Sequence, residues 1–160
     1  MRKLTTDYLV VGSGAMGMAF TDVLLTETDA KILIADKNHQ PGGHWNHASP
    51  FVRLHQPSAF YGVNSMKLGN NTVDATGLNK GLYELATNGE VCSYFDQVMQ
   101  RRFLPSGRVL YFPSCEYQGD GKFVSLISGE KYSVSFSKEV DSTYMNVVVP
   151  AMRKPPFVVN

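Results

Sequence analysis

The chain has 160 residues, of which 43% are hydrophobic and 18% charged, and its formal net charge is +1. Such a chain suits one globular domain with a substantial core, so residues 1–160 are read as a single unit. The near-neutral charge, with no basic run interleaved with aromatics, argues against nucleic acid as a partner, and no apolar run of about 18 residues is available to span a membrane.

The start, Met-Arg-Lys-Leu-Thr-Thr-Asp, is positive, but Asp7 intervenes before any long apolar stretch, which argues against a signal peptide. Cys92 and Cys115 lie far apart and neither belongs to a C-x-x-C pair. They read as two reduced thiols in a cytoplasmic protein.

In chain order, Tyr8 to Val11 is a short apolar run suited to a buried parallel strand. Gly12-Ser13-Gly14-Ala15-Met16-Gly17 follows, and residues 15 to about 26 have helical character, with Met16, Ala19, Phe20, Val23 and Leu24 on the expected apolar face. Ile32 to Ala35 is a second strand, ending at Asp36, nineteen residues beyond Gly17. Strand, glycine turn, helix, strand and acid in that order form the dinucleotide-binding fingerprint. Gly12 permits the tight turn, Gly14 the approach of a pyrophosphate, and Gly17 close packing of helix on strand. The helix mouth presents unpaired amides to the phosphates, and Asp36 can accept from a ribose diol. Ser13 lacks the G-x-S-x-G elbow of a nucleophile, so its hydroxyl is expected on a phosphate.

Residues 37 to 82, rich in Gly, Asn, Pro and His, read as a long functional loop region. Glu90 to Leu104 reads as a helix with Val91, Tyr94, Phe95, Val98, Met99 and Phe103 on its core face, ended by Pro105-Ser106-Gly107. Arg101-Arg102 reads as a solvated face at its end. From Arg108 the period changes to two. Segments 108–117, 122–128, 131–137 and 144–149 read as four strands of a β-meander, with hairpin-type turns at 118–121 and 128–130. The tail, 150–160, carries Pro150, Pro155 and Pro156 and is expected to leave the sheet.

A second motif, Gly42-Gly43-His44-Trp45, begins six residues after Asp36. Two glycines let bare backbone lie against a flat or charged ligand, which favours Trp45 as a wall for a ring system. Arg53 is either a surface cation or a contact for a phosphate or anionic substrate. His39, His44, His47 and His55 fall within seventeen residues, but the glycine pair and Pro50 argue against a helix bearing His44 and His47. No metal site is expected, and one histidine is a candidate donor near a cofactor. Asp74, Glu84 and Asp96 suggest no acid–base pair.

At motif level, residues 7 to 65 resemble the FAD-binding N-terminal part of flavin-containing monooxygenases and related FAD-dependent oxidoreductases, flavoproteins with two dinucleotide-binding domains. For residues 90 to 149 only the order of elements matches. The resemblance implies an α/β, Rossmann-like FAD/NAD(P)-binding fold with a βαβ start and an antiparallel β-meander, incomplete at its C-terminus. It implies pyrophosphate on Gly12, Ser13, Gly14, Ala15, Met16 and Gly17, and the adenosine ribose on Asp36 with Lys37 beside it. Gly43, His44 and Trp45 would pass along the cofactor, Asn64 and Ser65 would sit near the isoalloxazine, and Val140 beside the adenine. The implied cofactor is FAD, with NAD(P)H as co-substrate and a small molecule as substrate; no catalytic residue is named.

Neither a second glycine motif nor a late Gly-Asp segment is found. The expectation is therefore an uncovered sheet edge and apolar face, and either association with a missing C-terminal half, a separate subunit or a second copy, or a truncated product of limited stability. Two other readings stand beside the first: an NAD(P)-binding dehydrogenase domain, and a cofactor-binding fragment inert by itself.

Overall fold

The computed structural model describes residues 1–143, so the strand expected at 144–149 and the tail lie outside the described residues. The first strand, β1 (Arg2–Val11), is longer than its apolar run. Leu9, Val10 and Val11 are buried at its C-terminal end, while its N-terminal half is mostly exposed. After the glycine turn comes α1 (Ala15–Glu27), then β2 (Ile32–Ala35), every residue of which is buried.

The face that α1 buries differs from the expected one. Gly17, Met18, Thr21, Asp22, Leu24 and Leu25 are buried, whereas Met16 is 73% exposed and Val23 is exposed too. Gly17 sets this phase. A Cβ at position 17 would lie 2.2 Å from the Gly12 carbonyl oxygen, so only a bare α-carbon can face the strand there. Positions one, four, five and eight residues on then turn inward at helical spacing.

The 37–82 region contains a 3-10 turn at Gly43–His47, another at Ser58–Phe60, and a small hairpin of β3 (Gly62–Val63) and β4 (Met66–Lys67). The second helix, α2 (Asn88–Val98), starts with a capping box in which Thr87 and Glu90 satisfy each other's backbone amides. Its buried residues include Val91, Tyr94, Phe95 and Val98, and Met99 and Phe103 continue the face through a π turn, Met99–Phe103. A short 3-10 turn, Leu104–Ser106, and Gly107 with φ +69° end the segment.

The predicted strand 108–117 is two strands, β5 (Val109–Phe112) and β6 (Cys115–Gly119). Pro113 has no amide to donate, and Ser114 has φ +50°, so the chain breaks there. β5 does not join the meander; it pairs parallel to β2. β6, β7 (Lys122–Ser125) and β8 (Lys131–Asp141) are the antiparallel meander, with Asp120-Gly121, both at positive φ, turning β6 into β7.

β8 then does what the sequence did not announce. It runs parallel to β1 over its whole length, from Arg2 opposite Tyr132 to Val11 opposite Asp141. The sheet order is β5-β2-β1-β8-β7-β6. This strand fills the place beside β1, and β5 and β6 form the two edges of the sheet. Both sheet faces are covered. Val10, Ile32 and Ile34 pack with Met18, Leu25 and Phe95 from the helices. Leu9, Val11 and Leu33 pack with Phe123, Tyr132 and Val134.

The solvated face expected at Arg101-Arg102 is corrected by one residue. Arg102 Nε donates to Asp22 Oδ1 at 2.5 Å, and Asp22 is only 1% exposed. The Ser65 amide and hydroxyl donate to the same carboxylate. α1, the β3–β4 turn and the π turn are thus joined at one buried charge. Removing one partner of such a pair leaves that charge uncompensated. Arg102→Ala is expected to lower stability by about 2 kcal/mol, less than a fully buried pair because Arg102 keeps contact with water. Arg101→Ala, at an exposed position, should stay within about 0.5 kcal/mol. Urea unfolding of the two variants checks the contrast.

Candidate dinucleotide site

The C-terminal ends of β1 and β2 lie side by side, with Val11 opposite Ala35, so the glycine turn and Asp36 emerge together. The Ser13 amide donates to Asp36 Oδ2 at 2.5 Å and the Ser13 hydroxyl donates to the same oxygen at 2.6 Å. The Asn38 amide donates to Oδ1 at 2.7 Å. Asp36 is 5% exposed and Ser13 fully buried. The Ser13 hydroxyl, expected on a phosphate, is thus spent on the neighbouring acid. A buried carboxylate gathers the nearest donors because each satisfied lone pair offsets its desolvation.

Helix α1 begins at Gly14 with no side-chain cap and no acidic residue in its first turn. The amides of Ala15, Met16 and Gly17 therefore carry the positive end of the helix dipole without a competing side-chain anion. The turn itself is closely confined. Gly12 has φ +99°, and a Cβ there would lie 2.7 Å from Ser142 Oγ. Ser142, just past β8, donates its hydroxyl to the carbonyls of Val11 and Gly12. The end of the meander is thereby tied to the start of the turn.

The second glycine motif docks directly on the first. The Gly42 amide donates to the Ser13 carbonyl at 2.9 Å. Gly43 has φ +56°, and a Cβ on it would come within 2.8 Å of the Gly14 α-carbon. Gly43 to His47 form a 3-10 turn, too short and tight to be an α-helix.

That turn carries Trp45 inward. Trp45 is 7% exposed and donates its Nε1 hydrogen to the Tyr61 hydroxyl at 2.7 Å. It is a core anchor with one edge on a groove of about 380 Å³ that Gln40, Asn46, Asn88 and Cys92 also line. His44 stacks on Trp45 at 5.5 Å between ring centroids, and burial lowers its pKa. His47 bonds Asn38. Among the described residues no three His, Cys, Asp or Glu side chains converge as metal ligands.

The remaining candidates sit apart from the glycine turn in their bonding. Lys37 is exposed. Arg53 is exposed, donates to the Leu85 carbonyl and pairs through its backbone with Thr87 at the start of α2. Asn64 and Ser65 form the β3–β4 turn, with Ser65 bonded to Asp22 and Asn64 exposed. Val140 lies opposite Val10 in β8.

Tyr111 was not anticipated. It stands on β5 with its hydroxyl 3.4 Å from Ser13 Oγ. Burial pushes its pKa up, the bond to Ser13 opposes this, and the Asp36 and Asp96 carboxylates add to it. Reading 108–117 as one meander strand hid it, because that placed Tyr111 in the wrong sheet neighbourhood.

A parallel run of strands β5-β2-β1-β8, a glycine turn opening an uncapped helix and an acid at the next strand's tip define a Rossmann-like fold. The family model for NAD(P)-binding Rossmann-like domains matches residues 10–74. An uncharacterized protein of Mycobacterium tuberculosis (strain H37Rv) is 58% identical over 159 residues, covering 99% of this chain and 29% of the relative. The same figures hold for an uncharacterized protein of Mycobacterium bovis, so the chain spans 29% of the length of the curated relatives it matches.

Solved structures share the fold at lower identity. A flavin-containing monooxygenase from Stenotrophomonas maltophilia is 18% identical with a TM-score of 0.57, over 88% of this chain and 38% of that one. A bacillithiol disulfide reductase from Bacillus cereus is 13% identical with a TM-score of 0.63, over 86% and 39%. A cyclohexanone monooxygenase from Rhodococcus bound to NADP+ is 21% identical with a TM-score of 0.55, over 88% and 26%. The chain has the Rossmann-like fold of these proteins and corresponds to a part of each.

The contact of Gly43 with Gly14 is testable apart from backbone strain. Gly129 also has positive φ, +71°, but has nothing within 4 Å of an added Cβ. Gly129→Ala should cost about 1 kcal/mol of left-handed strain. Gly43→Ala should cost clearly more, about 2–3 kcal/mol, because its Cβ also meets backbone that must shift. Denaturant midpoints of the two variants measure the difference.

Proposed function

We propose that residues 1–160 form the FAD-binding part of a flavin-dependent oxidoreductase, of the NAD(P)H-dependent monooxygenase type, acting on a small-molecule substrate. What supports this above all is the bond between the glycine turn and the acid: with the Ser13 amide 2.5 Å from Asp36 Oδ2, helix mouth and ribose acceptor make one continuous site. The fit to a dinucleotide is physical. Three first-turn amides lack a side-chain cap, and bare backbone at Gly14 and Gly43 lets the second motif dock against the helix mouth.

FAD, when bound, would supply the redox chemistry. The chain's own residues bind and orient. The amides of Ala15, Met16 and Gly17 hold the diphosphate, Asp36 accepts from the adenosine ribose, and exposed Lys37 flanks it. Gly43 and His44 run beside the cofactor. Since Ser65 is committed to Asp22, Asn64 is the member of that pair available to the isoalloxazine. No side chain among these acts as acid or nucleophile.

The printed names of the structural neighbours, flavin-containing and cyclohexanone monooxygenases, favour flavin. The description of the matching family model keeps an NAD(P)-binding dehydrogenase domain as the second reading. Titration of the purified chain with FAD separates the two, because bound flavin shows perturbed visible absorption that a nicotinamide lacks. FAD is expected to bind near one equivalent, and Gly14→Val to abolish it while leaving the circular dichroism folded. NADH binding with FAD excluded would select the second reading. Oxidation of NADPH by the chain alone is expected to be negligible, the relatives being more than three times longer.

A further inference from the structure

Asp36 has little acceptor capacity left for a ligand. An ionised carboxylate offers about four lone-pair positions, two on each oxygen. Oδ2 takes two bonds, from the Ser13 amide at 2.5 Å and the Ser13 hydroxyl at 2.6 Å. Oδ1 takes one, from the Asn38 amide at 2.7 Å. One position on Oδ1 remains. Ser13 is fully buried, and its hydroxyl lies 2.6 Å from Oδ2 against 3.4 Å from the Tyr111 hydroxyl, so its single proton is best placed on Oδ2.

We propose that Asp36 reads only one of the two ribose hydroxyls of an adenine nucleotide, through Oδ1, and that Ser13 is the specificity-determining residue that enforces this by filling Oδ2. The inference rests on the nucleotide-binding reading above and adds to it a ligand preference: a ribose with one required hydroxyl and one that the chain ignores. A serine at this place in the glycine turn thereby acts on the sugar and not on the phosphates. Alanine there would vacate one position on Oδ2, loosen the carboxylate and let the diol meet both oxygens.

Binding of ADP, 2′-deoxy-ADP and 3′-deoxy-ADP to the full chain, measured by titration calorimetry, tests it. One deoxy analogue is expected to bind about tenfold more weakly than ADP, the usual worth of a hydrogen bond to a charged group, and the other within about twofold. In Ser13→Ala the gap between the two analogues is expected to close to within about threefold. A purely structural role for Ser13 would weaken all three ligands alike and leave the gap unchanged, which overturns the proposal. So would a wild type in which both analogues lose equally, or neither does, while ADP binds; nucleotide binding itself would then stand. Failure of the wild type to bind ADP at all would overturn both.

Discussion

Backbone meeting backbone at the glycine turn is the constraint on which the rest of the molecule depends. Gly17 must be bare because the Gly12 carbonyl lies where its Cβ would be, and Gly43 must be bare because Gly14 lies under it. The first contact fixes how α1 rotates on the sheet. Once Gly17 faces inward, Thr21, Asp22 and Leu25 follow it, and a carboxylate is carried into the core. A buried unpaired carboxylate is costly. The π turn at Met99–Phe103 brings Arg102 onto it, and Ser65 completes its hydrogen bonds. The Arg102–Asp22 pair is therefore best read as a consequence of tight helix–strand packing. It ties the β3–β4 turn to the same helix that opens from the glycine turn.

The second dependence runs through β8. It leaves the meander as an antiparallel partner of β7 and enters the parallel sheet beside β1. Few strands serve two sheet geometries at once; β8 manages it by length, its first residues pairing on both sides and its last only with β1. Its end delivers Ser142 to the carbonyls of Val11 and Gly12. The glycine turn is thus held from three directions: by Asp36 from β2, by Gly42 from the second motif and by Ser142 from the meander. A loop that must present amides to an anion without collapsing onto its own acceptors gains from such fixing, since less ordering remains to be done when ligand arrives.

Legibility from sequence followed the reach of the forces involved. The βαβ unit and the capped, aromatic-faced helix could be read because strand runs, glycine spacing and helical periodicity are local signals. All six residues expected on the second helix's core face are buried, with Cys92 added to them. The face of α1 could not be read from hydrophobicity, because a glycine decided it; of the two methionines in its first turn, Met18 is buried and Met16 points to water. β5 was misplaced because Pro113 and Ser114 break a run whose period-two pattern continues across them. β8 was cut short because its partner, β1, is more than a hundred residues away, and nothing in Ser137 to Asp141 advertises burial. At the site, Gly14, Gly43 and Asp36 were legible as a fingerprint, while the Ser13–Asp36 bond and Tyr111 were not. Those depend on which oxygen faces which donor across the sheet, a property of register.

The same division of forces explains why this site leaves flavin and nicotinamide harder to separate than nucleotide and non-nucleotide. Helix mouth, glycine turn and strand-tip acid address only the diphosphate and the adenosine ribose, which FAD and NAD(P) share. Whatever tells the two apart must touch the other end of the cofactor, and in this chain the segments beyond the acid are the ones placed to do so. Their construction is informative. Gly43 is pressed onto Gly14, Trp45 is anchored to Tyr61, and Ser65 is bonded to Asp22, so the stretch from 42 to 65 is held at three points along its length. The backbone from the second motif to the β3–β4 turn is thereby fixed against the glycine turn at one end and against α1 at the other.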